Sequence, residues 1–174
     1  MHPLFHPLYV DFCTYFNGNQ DYFECHEVLE EYWKSRAPGE KAHPLVGYVQ
    51  LATGMYHWRR NNFIGAMKIL NKAYKNFTMN QSSPFFDFIA FDELCKNCEI
   101  SMKAIEKGEP FKAFLLELKN EKLASLVNKK IEELPSLPKD YLLHKHMLRD
   151  RSDILEARNN RKLALSQERL NKKP

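Results

Sequence analysis

The residues best equipped for chemistry lie together in one stretch, Tyr22-Phe23-Glu24-Cys25-His26-Glu27-Val28-Leu29-Glu30-Glu31-Tyr32-Trp33. Placed at 100° per residue, Val28, Tyr32, Cys25, Leu29, Tyr22 and Trp33 form one apolar helical arc. His26 lies just beyond Trp33 on the edge of that arc, and Glu30 lies one step further. Glu24, Glu27 and Glu31 fall on the polar side. His26 and Glu30 are i,i+4 neighbours, within reach of an imidazole–carboxylate hydrogen bond that fixes the tautomer and favours the charged ring.

A counterpart follows some 20 residues on, where Gly47, Gln50, Gly54 and His57 form one stripe of a second helix. Two glycines on a helix face cost about 1 kcal/mol each relative to alanine. A closely packed neighbouring helix is the simplest compensation. If that neighbour carries His26, then Gln50 and His57 face His26, Glu27 or Glu30.

Such a cluster supports three chemistries. It can be a satisfied polar network that fixes helix packing. It can hold a divalent metal ion, with His26, Glu30 and His57 as ligands, since His and Glu across helices ligate metals in helical bundles. It can also do acid–base work on a small ligand, with His26 or His57 as the base and Glu27 and Glu30 assisting. The zinc-protease helix H-E-x-x-H is not completed, because Glu30 stands where its second histidine belongs. Glu24, Trp33 and Gln50 are candidate binding residues, as are Arg59 and Arg60, which form a basic patch with His57 and Trp58. That patch suits an anion or a solvated helix end. His2 and His6 could bind a metal but read more simply as mobile surface groups.

Five helices must position these groups. They run from about Pro7 to Phe16, Asp21 to Arg36, Pro44 to Arg60, Asn62 to Met79 and Phe91 to Lys107. Asn17-Gly18-Asn19, Pro38-Gly39, Ser83-Pro84 and Gly108 separate them. Residues 111–118 fit neither the helical nor the strand period, whereas 120–134 reads as a helix. Pro135 and Pro138 mark a linker. Beyond it, residues 140–170 carry heptad-like Leu spacing too sparse for a coiled coil.

An internal repeat organises the first half. A shift of 41 positions lays Asp21 on Asn62, Tyr22 on Phe63, Cys25 on Ala66, Val28 on Ile69, Leu29 on Leu70 and Trp33 on Tyr74. The fold expected is all-α: two duplicated helical hairpins in a tetratricopeptide-like bundle, followed by additional C-terminal helices. The expected division is a hairpin domain over 1–110, an accessory segment over 111–136 and a basic, helical tail over 137–174.

Composition excludes little else. Of 174 residues, 44% are hydrophobic and 28% charged, as in a globular protein. The start shows no cleavable signal pattern, and no apolar run reaches the ~20 residues of a membrane span, so a cytoplasmic location is expected. Residues 139–174 hold ten Lys/Arg against five Asp/Glu, which places the basic character in the tail. A nucleic-acid contact would fall to that tail, although its single aromatic, Tyr141, argues against base stacking. Cys13, Cys25, Cys95 and Cys98 read as structural thiols, because Cys95-x-x-Cys98 lacks a strand-and-helix redox context and a second metal pair.

The pattern Y-F-E-C-H-E-V-L-E-E-Y-W over 22–33, followed by Gln50-Leu51-Ala52, Tyr56-His57 and Gly65-Ala66, resembles the family known as domain of unknown function 309. The likeness covers about residues 7–80, and the basic extension is similar to that of members from Bacillus and its relatives. It implies an all-α hairpin domain and supplies no activity. Its motif falls on Glu24, His26, Glu27, Glu30, Trp33, Gln50, His57 and Gly65. The function expected from these readings is a module that binds a protein partner through the hairpin groove or the basic tail. The alternative is a small metal-dependent, hydrolase-like enzyme built on the His/Glu cluster.

Overall fold

A computed structural model describes residues 1–145, 160–164 and 166–168. Its first compact unit is Met1–Leu143, and residues from His144 onward form a second. In the first unit the helices are α1 (Pro7–Asn17), α2 (Tyr22–Arg36), α3 (Pro44–Arg59), α4 (Phe63–Met79), α5 (Phe91–Glu106), α6 (Glu121–Glu132) and the short α7 (Lys139–Leu143). From α1 through α5 each helix packs on the one before it, and α6 returns to cover α1. The described residues contain no named strand, so the architecture is all-α. Most of the tail reading, a long helix over 140–170, lies outside the described residues. Residues 160–164 and 166–168 are helical.

The 41-residue repeat survives in the backbone. Asp21 and Asn62 cap α2 and α4 through side-chain oxygens that accept the N–H of Glu24 and Gly65. The residues before them, Gln20 and Asn61, share a left-handed conformation, with φ of 51° and 60°. Two hairpins therefore enter their second helices through the same turn.

Three helical segments begin with His-Pro. His2, His6 and His43 each accept a backbone N–H through Nδ1, from Leu4 at 3.3 Å, Leu8 at 3.3 Å and Leu45 at 3.1 Å. Proline supplies the preset φ and needs no donor at that position. An imidazole can cap this way only while Nδ1 is unprotonated.

The core is aromatic. Tyr9, Phe12, Phe16, Tyr22, Tyr48 and Phe77 are fully buried in it, with ring centroids 5.3–5.7 Å apart along the chain of contacts. Such edge and tilted pairs add to the gain from area burial. Residues 111–117 form neither helix nor strand. The Asn17 side chain pairs with both backbone groups of Leu116, at 2.9 and 2.8 Å. The Ile89–Leu118 bridge holds the far end.

The glycine stripe of α3 finds its close neighbour in α4, not α2. A Cβ at Gly47 would meet Asn76 Oδ1 at 2.4 Å, and one at Gly54 would meet Leu70 Cγ at 2.6 Å. The two-hairpin packing thus uses the glycines inside the second hairpin, which leaves Gln50 and His57 on the flank of α3.

All four cysteines are free. Cys13, Cys25 and Cys98 are buried, and Cys95 is partly exposed. Burial pushes the Cys95 thiol up to about 11, with Asp92 and Glu99 adding to the effect, and pushes the other three higher. None is a poised thiolate at neutral pH.

Candidate functional site

α2 brings His26, Glu27 and Glu30 together. His26 Nδ1 lies 3.3 Å from Glu27 Oε1, and Nε2 lies 3.4 Å from Glu30 Oε2. Lys34 Nζ pairs with Glu30 Oε1 at 2.5 Å. One atom from each of His26, Glu27 and Glu30 falls within a common span of 4.8 Å. The i,i+4 relation with Glu30 is the one the helical spacing demands. Glu27 joins from the adjacent position because a long side chain can lie back along the helix surface. Both ring contacts are donor contacts only when the imidazole carries two protons. The three side chains are each about one-third exposed, so the network lies at the surface.

His57 does not belong to this group. Its Nδ1 is 3.3 Å from Asn62 Nδ2, and the same amide's oxygen caps α4 by accepting from Gly65. The amide donates to the ring, which places the remaining ring proton on Nε2. Desolvation, and secondarily the Arg60 charge, lower the pKa of His57 below the ordinary value of 6.5. His43 is lowered too, chiefly by burial.

A depressed imidazole stabilises the fold in its neutral form. That contribution is complete above about pH 6.5, the unfolded value, and is lost as pH falls through the lower folded value. The melting temperature is therefore expected to drop between pH 7.5 and 5.5. His43→Asn, which keeps a side-chain cap and removes the titration, should reduce the drop. Thermal melts followed by circular dichroism check both points.

The remaining motif residues are dispersed. The Glu24 backbone N–H donates to the Asp21 cap at 3.2 Å. Trp33 Nε1 donates to the Glu40 carbonyl at 3.0 Å, closing the α2–α3 turn. Gln50 Oε1 is buried with no hydrogen-bond partner.

Arg59 is largely buried at the other end of the bundle. It donates to the carbonyls of Gln20 at 2.7 Å and Leu142 at 3.1 Å, and its guanidinium lies over the Tyr22 ring. Arg60 lies 5.6 Å from the Tyr56 ring. Arg59 ties backbone segments together and, with Gln20 and Lys139, lines a cavity of about 570 Å³ that Arg60 does not line.

Three cavities, of about 640, 570 and 230 Å³, open elsewhere. None is lined by His26, Glu27, Glu30, Gln50 or His57.

One signal escapes helical-wheel reasoning. From Lys41 to Phe86 the chain holds six Lys/Arg and no Asp or Glu. The basic character is consequently not confined to the tail, and a simple scan of charge along the chain exposes it.

No described helix is long and apolar enough to cross a membrane. No solved structure matches the chain. The family described as "Domain of unknown function (DUF309)" matches residues 9–69, which span α1, α2, α3 and the start of α4. The chain is 32% identical over 157 residues to "Uncharacterized protein YpuF" of Bacillus subtilis (strain 168), covering 86% of this chain and 90% of that protein. With the hairpin motif, the family match and this near full-length similarity in agreement, the chain belongs to the domain of unknown function 309 family.

Proposed function

We propose that the chain is a helical-hairpin binding module that takes a segment of a partner protein along the outer face of α2 and α3. The observation that carries this reading is the half-buried character of the motif residues on that face. Phe23, His26, Glu27, Glu30, Trp33, Val49, Gln50 and His57 are neither core nor freely solvated. Phe23 and Tyr56, with ring centroids 6.2 Å apart, bridge the two helices. Interfaces favour aromatic groups with polar neighbours in this state. The unpartnered Gln50 oxygen is an acceptor that a partner's N–H would satisfy, and leaving such a group unmatched costs about 1–3 kcal/mol. The basic tail supplies further contacts in this reading.

A photo-crosslinking residue at Thr53, on the half-buried side of α3, tests the assignment in cells. Discrete protein adducts are expected from Thr53 and not from a control at exposed Lys103. Absence of adducts, or the same ladder from both positions, would overturn it.

A second reading is favoured by the 4.8 Å grouping on α2: a divalent cation held by His26, Glu27 and Glu30, the starting point for hydrolytic chemistry. All three ligands come from one helix, and Lys34, paired with Oε1 of Glu30, is a competing cation. Calorimetric titration of tag-free protein with Zn²⁺ or Mn²⁺ decides. Stoichiometric binding that disappears in His26→Ala supports the site. Substoichiometric binding unaffected by the substitution removes it.

A further inference from the structure

We propose that the outer face of α4 binds the phosphate backbone of double-stranded nucleic acid, independently of sequence and of the α2–α3 face. Lys68, Lys72 and Lys75 follow each other by four and three residues and form one exposed stripe. Along the axis they span about 10 Å, which faces about three successive phosphates of one duplex strand. None of the three side-chain ammonium groups has a hydrogen-bond or ion-pair partner among the described residues. Helix α4 itself contains no acid.

The surroundings extend the same field. Arg60 stands at the turn leading into α4. At its far end Asn80 Nδ2 donates to the Ala42 carbonyl at 2.9 Å, and Asn76 Nδ2 to the His43 carbonyl at 3.1 Å. These bonds bring the loop with exposed Lys41 to the C-terminal end of the stripe. Glu99 of the neighbouring α5 accepts from the Tyr74 hydroxyl at 2.5 Å. A row of ammonium groups with no ion-pair partner raises a positive potential that a polyanion relieves by releasing its counterions.

The composition of the face selects the class of partner. Protein interfaces are depleted in lysine and enriched in aromatic residues and arginine, the reverse of what α4 presents. A helix lying on an anionic membrane needs an apolar face to insert, and α4 spends its apolar face on the core through Ala66, Leu70, Ala73 and Phe77. Only Ile64 and Met79, 87% and 77% exposed at opposite ends, remain for lipid. Lysine ammonium groups are point charges suited to phosphate oxygens and carry no base code, which gives positioning without sequence preference.

The test uses the full chain and a fluorescent duplex of ~20 base pairs, as DNA and as RNA, read by anisotropy between about 50 and 200 mM salt. Substituting Lys68→Gln, Lys72→Gln and Lys75→Gln together should weaken binding at least about tenfold and flatten the salt slope by about two to three. A control triple, Lys103→Gln, Lys107→Gln and Lys112→Gln, removes the same charge from another surface and should change affinity less than about threefold. All six positions are exposed, so unchanged melting temperatures establish that both variants fold. Failure of the unaltered chain to bind either duplex overturns the proposal, as does equal weakening by both triples. Lysine-dependent binding to phosphatidylserine vesicles or to polyglutamate in place of the duplexes also overturns it.

Discussion

Trp58→Ala is expected to destabilise the protein by about 4 kcal/mol, a fall in melting temperature of roughly 12 °C. Trp58 is 1% exposed, and its indole meets Phe111 edge-on at 5.3 Å. Its Nε1 also donates to the Glu109 carbonyl at 3.0 Å. The side chain therefore does two things at once. It fills the bundle end, and it pins the start of the 111–118 segment to α3. Removal leaves a large void and an unmatched carbonyl, each costly in its own right. Trp58→Phe keeps most of the volume and loses only the hydrogen bond, so it should cost about 1–2 kcal/mol. Denaturant unfolding of the two variants separates these contributions. A loss below about 2 kcal/mol for Trp58→Ala would mean that the segment is held elsewhere.

The second large effect runs against helix propensity. Gly54→Ala should gain about 1 kcal/mol from the better helix former, yet a net loss of about 2 kcal/mol is expected. The new methyl would sit 2.6 Å from Leu70 Cγ and 3.3 Å from the Leu70 backbone nitrogen. Leu70 is fully buried, so neither its side chain nor the α4 backbone can yield without disturbing the core. Gly47→Ala meets the Asn76 amide, which is already committed to the carbonyls of Ala42 and His43. The double variant should be worse than either single one. A neutral result for Gly54→Ala, measured by the same unfolding method, would show that α4 can move away from α3 at no cost.

Much of the fold was legible because its signals are local. Asp21 and Asn62 announce two helix starts, Pro44 a third, and the apolar spacing of α2 and α4 contains the faces they bury, Tyr22, Cys25, Leu29 and Tyr32 in one and Ala66, Leu70, Ala73 and Phe77 in the other. The 41-residue repeat was readable in side chains and proves to extend to backbone conformation at Gln20 and Asn61.

What escaped was set by partners far away in sequence. Residues 111–118 lack a period of their own because Asn17 and Ala90 hold them in place through Leu116 and Glu117. The glycine stripe correctly signalled a close approach, but nothing along α3 says which of two flanking helices uses it. The His26–Glu30 contact was legible from spacing alone. The partner of His57 was not, since Asn62 reads as a helix cap and serves the ring as well. The acid-free stretch was visible in the sequence, but only in a running view of charge that helical wheels do not give.

The thiols offer a practical handle. Three are sealed inside the bundle, while Cys95 alone is partly open to solvent, and its own ionisation is suppressed. A maleimide reagent should therefore tag the native chain once, slowly, on α5, and reach the other three sulfurs only as the helices separate. Counting added mass under increasing denaturant turns these side chains into a built-in gauge of opening, with no engineered probe required.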